Sequence, residues 1–282
     1  MRTSIKRTLT FRVVEPARHR VEHAIARLGA RPVVRICVAS DDRVYTSEQQ
    51  IAPLREYRDA LRSELGVVLV RMLVKDALAL SARQLRAFDA VLLKLAFTTP
   101  PLEALGVVRT LRERAGRDVK ILYLDGDDDV CVQWPALLPY VDLYVKKQVF
   151  ARASEYGLPR IGKTNLTDYV ARRFGTSFRS DRVPTSRGVD AAQIPKIALG
   201  WNVALDDKIR ALARRPPPSG GKDVDVICRA SVDERAWVHP LRSPVVAILR
   251  ELSAEYRVLT PEHRVSQEEY YEEMRRARIC VS

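Results

Sequence analysis

The chain has 282 residues, of which 46% are hydrophobic and 29% are charged, and its formal net charge is +13. This length suits about two domains of ordinary size, and the composition is that of a globular protein with sizeable cores. No stretch comes near the ~18 uncharged apolar residues of a membrane-spanning helix, and the basic N-terminus lacks an apolar signal core. We therefore expect a cytoplasmic protein. Disulfides and a zinc site are not expected, because no metal-ligand spacing links the four distant cysteines: Cys37, Cys131, Cys228 and Cys280.

Basic residues gather in the first 32 positions, and apolar residues recur at helical spacing between 16 and 29. This pattern predicts a basic N-terminal extension, 1–32, that contains an amphipathic helix. Such charge suits nucleic acid, an anionic membrane or a phosphorylated substrate, but a general bias toward arginine explains it equally well. Because no aromatic residues are interleaved in a basic motif, we expect no nucleic-acid partner.

From residue 33 onward, short apolar runs alternate with helical patterns. The predicted strands cover 33–39, 67–74, 88–96, 118–125, 141–147 and 194–200. The predicted helices cover 53–66, 101–116, 148–156 and 166–174. Near-continuous apolar strands that alternate with helices indicate a parallel sheet covered on both faces. We therefore expect one Rossmann-like α/β domain over 33–213.

The segment 214–223 is rich in Pro and Gly and predicts a linker, after which the α/β pattern restarts. Strands are predicted at 224–231, 256–260 and 278–282, with helices at 243–256 and 266–277. The region 224–282 would be a partial second Rossmann-like domain, because its roughly 60 residues are fewer than the ~100 that normally close such a core. This shortfall predicts that the chain is a fragment, truncated at its C-terminus.

The densest polar feature is a DGDDD cluster that directly follows the fourth predicted strand. Its acidic residues are Asp125, Asp127, Asp128 and Asp129. Ligands of open parallel sheets bind at the carboxyl ends of the strands. Because the aspartates repel one another, they need nearby cations, and Lys146 and Lys147 after the adjacent strand are candidate partners. Three roles stay open: ion pairs and turn structure, work on a substrate hydroxyl, or a metal site.

Several common site motifs are absent from the sequence. There is no GxGxxG after a strand, no GxxxxGK[ST] and no GxSxG. A classical dinucleotide site, a P-loop and a serine-hydrolase nucleophile elbow therefore lack support.

Longer runs of sequence carry a family resemblance. YLDGDDDVCVQWPALLPYVDLYVKKQVF (123–150), GKTNLTDYV (162–170) and LGWNVALDD (199–207) resemble bacterial family-1-like glycosyltransferases of the GT-B architecture, which act in polysaccharide and cell-surface biosynthesis. The segment 268–282 resembles the stretch that leads into their donor-binding region. The resemblance implies a GT-B-like fold, with an acceptor-side domain followed by a donor-side domain. It also implies transfer of a sugar from a nucleotide-sugar donor to a glycan or cell-surface acceptor, with no cofactor and no bound catalytic metal.

The resemblance assigns candidate roles to particular residues. If the reaction inverts the sugar configuration, a carboxylate or a histidine must take the acceptor proton, and Asp125 and Asp127 are the candidates. Cationic side chains must stabilise the leaving diphosphate, and the candidates are Arg229, Arg235 and Arg242. The expected rim of the acceptor cleft comprises Asp128, Asp129, Lys146, Lys147, Lys163, Asn165, Trp201 and Asn202.

Two alternatives stay open. One is a metal-dependent GT-A-type transferase that uses the DGDDD cluster to hold a cation, although the long α/β domain before the cluster and the α/β repeat after it disfavour this architecture. The other is a non-catalytic α/β protein that binds a sugar or a phosphate, or that lies on a membrane. The net charge also predicts a weak association with the anionic inner face of the membrane.

Overall fold

A computed structural model describes residues 33–162, 164–176, 187–201, 214–216, 220–230, 238–260 and 265–281. The predicted helix at 16–29 lies outside these ranges, as do three candidate site residues, Lys163, Asn202 and Arg235. The described residues divide into two compact units. The first contains 33–158 and 187–201, and the second contains 159–176 together with the described residues from 214 onward.

The first unit is built on a six-stranded, fully parallel sheet. Its strands are β1 (Val34–Ser40), β2 (Val67–Leu73), β3 (Ala90–Lys94), β4 (Lys120–Asp125), β5 (Leu143–Lys146) and β6 (Ile197–Leu199). Their order is β2-β1-β3-β4-β5-β6. The prediction of a Rossmann-like parallel α/β sheet is therefore confirmed at this level. Strand order reverses between β1 and β3, and this topological switch point is where open α/β sheets bind ligands.

Helices connect these strands. They are α1 (Tyr45–Glu56), α2 (Arg58–Leu65), α3 (Val74–Ala79), α4 (Ala82–Leu85) and α5 (Pro101–Ala115), with short 3₁₀ helices at Pro135–Tyr140, Ala153–Gly157 and Ile194–Lys196. The boundaries of α5 follow the predicted Pro start and Gly stop. The helix predicted at 148–156 is wrong in type and extent, since only the 3₁₀ turn at 153–157 forms there.

Both faces of this sheet are covered, which explains why its strands are apolar at nearly every position. On β4, Ile121 and Tyr123 belong to one core cluster, which also takes in buried residues of α5. Leu122 and Leu124 belong to the opposite cluster, which includes Ile51 of α1. The alternation follows from the two-residue period of a strand.

The second unit contains a three-stranded parallel sheet with the order β8-β7-β9. Its elements are α6 (Asn165–Phe174), β7 (Val224–Cys228), α7 (His239–Leu252), β8 (Val258–Leu259), α8 (Gln267–Arg276) and β9 (Ala277–Val281). The predicted succession of strand, helix, strand, helix and strand after the linker is confirmed, as is the capping box of Ser266 and Glu269 at the start of α8. Of the described helices, none is both long and apolar enough to cross a membrane.

Candidate functional site

Asp125 ends β4 and is in register with Lys146, which ends β5. Both side chains are fully buried, and the Lys146 ammonium lies 2.8 Å from the Asp125 carboxylate. The same carboxylate oxygen accepts hydrogen bonds from the Tyr144 hydroxyl at 2.9 Å and the Gln133 backbone N–H at 3.2 Å. The other oxygen accepts from the Asp127 N–H at 2.9 Å. Asp125 thus has no exposed surface to offer a ligand, and its geometry is that of a structural anion.

The remaining aspartates shape the turn behind β4. Asp127 accepts a hydrogen bond from the Asp128 N–H at 2.8 Å, and Asp129 accepts one from the Cys131 N–H, also at 2.8 Å. Such short-range bonds from aspartate side chains to the following backbone stabilise turns. The exposed Asp128 forms an ion pair with Lys147. The prediction that lysines after the adjacent strand balance the cluster is therefore confirmed for both lysines.

Asp127 is half-buried, as Asp129 is, and the two adjacent lysines pair with Asp125 and Asp128. Burial, followed by the negative charge of Asp125, raises the pKa of the Asp127 carboxyl above its ordinary value. A partly exposed carboxyl with a raised pKa is well suited to exchange a proton. Asp127 is therefore the member of the cluster that the geometry favours for chemistry.

Lys94 ends β3 and is 2% exposed. Burial lowers the pKa of its ammonium to about 8, since Asp125 and Asp127 offset the repulsion from Lys147 and Lys146 without overcoming the cost of desolvation. A Cβ added to Gly126 would lie 2.4 Å from the Lys94 Nζ. A side chain at position 126 would therefore force the ends of the Lys94 and Gln50 side chains to move.

Asp41 follows β1 on the other side of the switch point. Its carboxylate accepts hydrogen bonds from the Arg43 Nε at 2.8 Å and from the Ala96 N–H at 3.3 Å. Burial alone would raise the pKa of Asp41, but the hydrogen bonds from Arg43 and Ala96 outweigh it and leave the pKa below its ordinary value. Arg43 also donates to the Thr99 hydroxyl at 2.9 Å. These bonds tie together the segments that follow β1 and β3.

Two further residues of the predicted cleft rim have structural partners. The Trp201 indole N–H donates to the backbone carbonyl of Gln50 at 2.8 Å, which anchors α1 to the segment after β6. Asn165 accepts a hydrogen bond from Arg160 at 3.1 Å. Trp201 belongs to the first unit and Asn165 to the second, so the proposed rim is not contained in one unit.

The arginines proposed to bind a diphosphate belong to the second unit. Arg229 follows β7, and its Nε donates to the Glu273 carboxylate at 2.8 Å. Its Nη1 donates to the Thr260 carbonyl at 3.0 Å, so the guanidinium links the ends of β7 and β8 to α8. Arg242 is exposed on the first turn of α7. A phosphate at Arg229 would have to compete with Glu273 for the guanidinium.

The described residues contain no group of three or more His, Cys, Asp or Glu side chains that could hold a metal ion. Compared with models of known protein families and with curated protein sequences, the chain has no significant match.

Four residues around the aspartates were not among the predicted site residues: Gln50, Lys94, Gln133 and Tyr144. The sequence does signal part of this set. Tyr144 precedes Lys146 by two positions on one strand, so both side chains face the same way. Lys94 closes the otherwise apolar run AVLLK. Gln50 lies on α1, and nothing in its sequence neighbourhood indicates that it reaches the carboxyl end of β4.

Proposed function

We propose that the chain is a glycosyltransferase of the GT-B architecture, which transfers a sugar from a nucleotide-sugar donor to a hydroxyl of a glycan-type acceptor. The observation that carries this proposal is Asp127, a half-buried carboxyl with a raised pKa at the carboxyl edge of the first sheet. Two parallel α/β units in one chain also support it. The GT-B architecture, the sugar chemistry and the assignment of acceptor and donor to these units are parts of the proposal.

In the proposed reaction, the acceptor oxygen attacks the anomeric carbon of the donor while the bond from that carbon to the diphosphate breaks. Asp127 accepts the proton that the acceptor hydroxyl loses. Lys146 and Asp125 act indirectly. The ion pair with Lys146 holds Asp125 in place. Asp125 accepts a hydrogen bond from the Asp127 N–H, and its negative charge helps to raise the pKa of Asp127. Asp125 is therefore a positioning residue, and Asp127 is the proposed base.

The leaving diphosphate requires cations, which we assign to Arg229 and Arg242 of the second unit. Because Arg229 is paired with Glu273, donor binding would exchange one anionic partner of the guanidinium for another. Replacing Glu273 with Gln would weaken this competition and is expected to tighten binding of the nucleotide-sugar.

The test is turnover of UDP-, GDP- and dTDP-sugars, followed by release of the nucleoside diphosphate. Asp127→Asn is expected to lower kcat by about 10²–10⁴-fold, the usual contribution of a general base. Asp118→Asn is the matched control, because Asp118 is an exposed aspartate that precedes β4, and it should retain nearly full activity. Equal activity of the two variants would refute the role of Asp127. Failure to bind or turn over any of the three donor classes would refute the transferase.

A second proposal concerns the outer face of α6. Tyr169 and Phe174 are 51% and 47% exposed, and their rings lie edge to face. Leu166 is also exposed, as are Arg172 and Arg173 near the end of the helix. Aromatic and basic side chains on one surface are typical of helices that lie on anionic membranes. We propose a weak peripheral association through this face.

Sedimentation with phosphatidylserine vesicles at low and high salt tests the membrane proposal. A variant carrying Tyr169→Ser and Phe174→Ser should lose binding at low salt. Leu102→Ser removes an apolar side chain that is 82% exposed on α5 in the first unit and should bind as the unmodified chain does. A protein that ignores vesicles at low salt, or a double variant that still binds them, would contradict the assignment.

A further inference from the structure

Among the described residues, two polar groups at the carboxyl end of the sheet lack hydrogen-bond partners. Within the described part of the chain, the Lys94 ammonium makes no hydrogen bond and no ion pair, although the residue is only 2% exposed. Gln50 is 7% exposed, and its Oε1 has no hydrogen-bond partner there either. Its amide nitrogen is already used, because it donates to the Asp125 carbonyl at 3.2 Å. Buried polar groups are normally satisfied, so the Gln50 Oε1 beside this ammonium calls for an explanation.

The two groups also converge on one place. The Lys94 Nζ and the Gln50 Oε1 lie 2.4 and 2.6 Å from the position that a Cβ on Gly126 would occupy. They are therefore close enough for a single oxygen atom to contact both at ordinary hydrogen-bond lengths of ~2.7–3.0 Å. An ammonium only donates and an amide oxygen only accepts, so the atom that satisfies both must accept one hydrogen bond and donate another. A water molecule has this property, and so does a ligand hydroxyl group that takes the place of the water.

We propose that Lys94 and Gln50 form a subsite that binds one hydroxyl group of a saccharide at the switch point between β1 and β3. A charged ligand group fits less well. An anion would meet Asp125 and Asp127, and a cation would meet Lys94, with Lys146 and Lys147 nearby. A neutral hydroxyl avoids both repulsions.

The position of the subsite links it to the proposed base. Both groups lie beside the Cβ position of Gly126, which directly precedes Asp127. A saccharide held by one hydroxyl at Lys94 and Gln50 would be oriented toward Asp127 with a neighbouring hydroxyl. That this saccharide is the acceptor rests on the proposed transferase function, whereas the subsite itself requires only a sugar-binding protein.

Competitive acetylation of the full chain with acetic anhydride tests the subsite, with each lysine followed by mass spectrometry. The probes are the methyl glycosides of glucose, galactose, mannose and N-acetylglucosamine. We expect at least one of them to slow acetylation of Lys94 several-fold. Lys120, whose side chain is 63% exposed, is the control and should react at an unchanged rate. A Lys94 that does not react in the folded protein, or that reacts equally with and without every probe, would overturn the proposal.

Two variants of Gln50 sharpen the test. Gln50→Glu gives Lys94 a carboxylate partner, and Gln50→Met removes the acceptor oxygen while keeping a side chain of similar length. Protection of Lys94 should be lost in both, and protection at the original level in a folded variant would refute the role of Gln50.

Turnover of nucleotide-sugars without protection of Lys94 would refute the subsite alone. Protection without turnover would support the subsite and count against the transferase.

Discussion

Replacing Asp125 with Asn should destabilise the first unit severely, because Lys146 is then left as a buried, uncompensated charge. Both side chains have 0% exposure, so water does not replace the lost carboxylate. Removing one partner of a buried ion pair costs about 3–5 kcal/mol. Weakened hydrogen bonds from the Tyr144 hydroxyl and the Gln133 N–H act in the same direction. This is a large part of the ~5–15 kcal/mol that stabilises a typical domain.

Denaturant unfolding followed by tryptophan fluorescence measures this loss. Trp134 is a suitable reporter because it is 3% exposed and its ring lies 5.8 Å from that of Tyr123, beside the ion pair. Lys146→Met should be similarly damaging, since it leaves the Asp125 carboxylate buried without its counter-ion. The variant that carries both substitutions should lose less stability than the sum of the two single losses, and the difference, the coupling energy, should be about 1–3 kcal/mol.

Glu113→Gln provides the matched control. It removes an exposed ion pair with Arg109, at 3.9 Å within α5, and should cost less than about 0.5 kcal/mol. The structural role of Asp125 would be refuted if Asp125→Asn cost no more than this control, or if the losses of Asp125→Asn and Lys146→Met simply added. An Asp125→Asn variant of undiminished stability and no activity would show instead that Asp125 serves the reaction and not the fold.

Three further predictions concern single positions. Gly126→Ala should lower the free energy of unfolding by about 1–3 kcal/mol, because its Cβ would collide with buried side-chain ends. Gly106→Ala has open space inside α5 and should raise the free energy of unfolding by at most about 1 kcal/mol. Thermal unfolding of the two variants measures both changes. The pKa of Lys94 is about 8 in the folded protein and 10.5, its ordinary value, in the unfolded chain. Between these two pH values the unfolded state binds more protons, so the free energy of unfolding should rise with pH, by up to roughly 3 kcal/mol. Denaturation of Lys94→Met should show no such rise, and an identical pH profile for both proteins would contradict the shift. Ser266→Ala removes a capping hydrogen bond at 3.1 Å and should cost about 1 kcal/mol, with faster amide exchange confined to the first turn of α8; unchanged exchange there would show that the cap contributes nothing.

The strands of the first unit could be predicted because a parallel sheet covered on both faces demands continuous apolar runs, such as Ala90–Lys94. The helices were harder to predict. Val74 extends an apolar run and was assigned to the second strand, yet it begins α3. The short helix α4 carries a capping box of Ser81 and Gln84 that could have revealed it. The helix α1 begins at Tyr45, well before the predicted start at 53. The prediction missed this first part because the segment between has few apolar residues to mark a buried face.

Prediction of the site succeeded where it depended on sheet topology. The carboxyl ends of neighbouring parallel strands lie side by side, so Lys146 could be placed beside Asp125 from the order of the elements alone. It failed where placement depended on how a helix packs. Gln50 reaches Gly126 because the next residue, Ile51, is buried in the core between α1 and the sheet. The pattern of residues along one helix does not show how close a side chain such as Gln50 lies to a residue of another element.

The DGDDD cluster shows how four aspartates in five residues can coexist at the end of one strand. Repulsion among them is relieved in a different way at each position. Asp125 has the buried Lys146, Asp128 has Lys147, and Asp129 has a backbone N–H. Among the described residues, Asp127 accepts a hydrogen bond from the Asp128 N–H alone, and its burial, followed by the repulsion from Asp125, raises its pKa. Asp125, Asp128 and Asp129 thus serve the fold through ion pairs and a turn hydrogen bond, whereas Asp127 has the raised pKa, so the structural role and the proposed chemical role belong to different members of one turn.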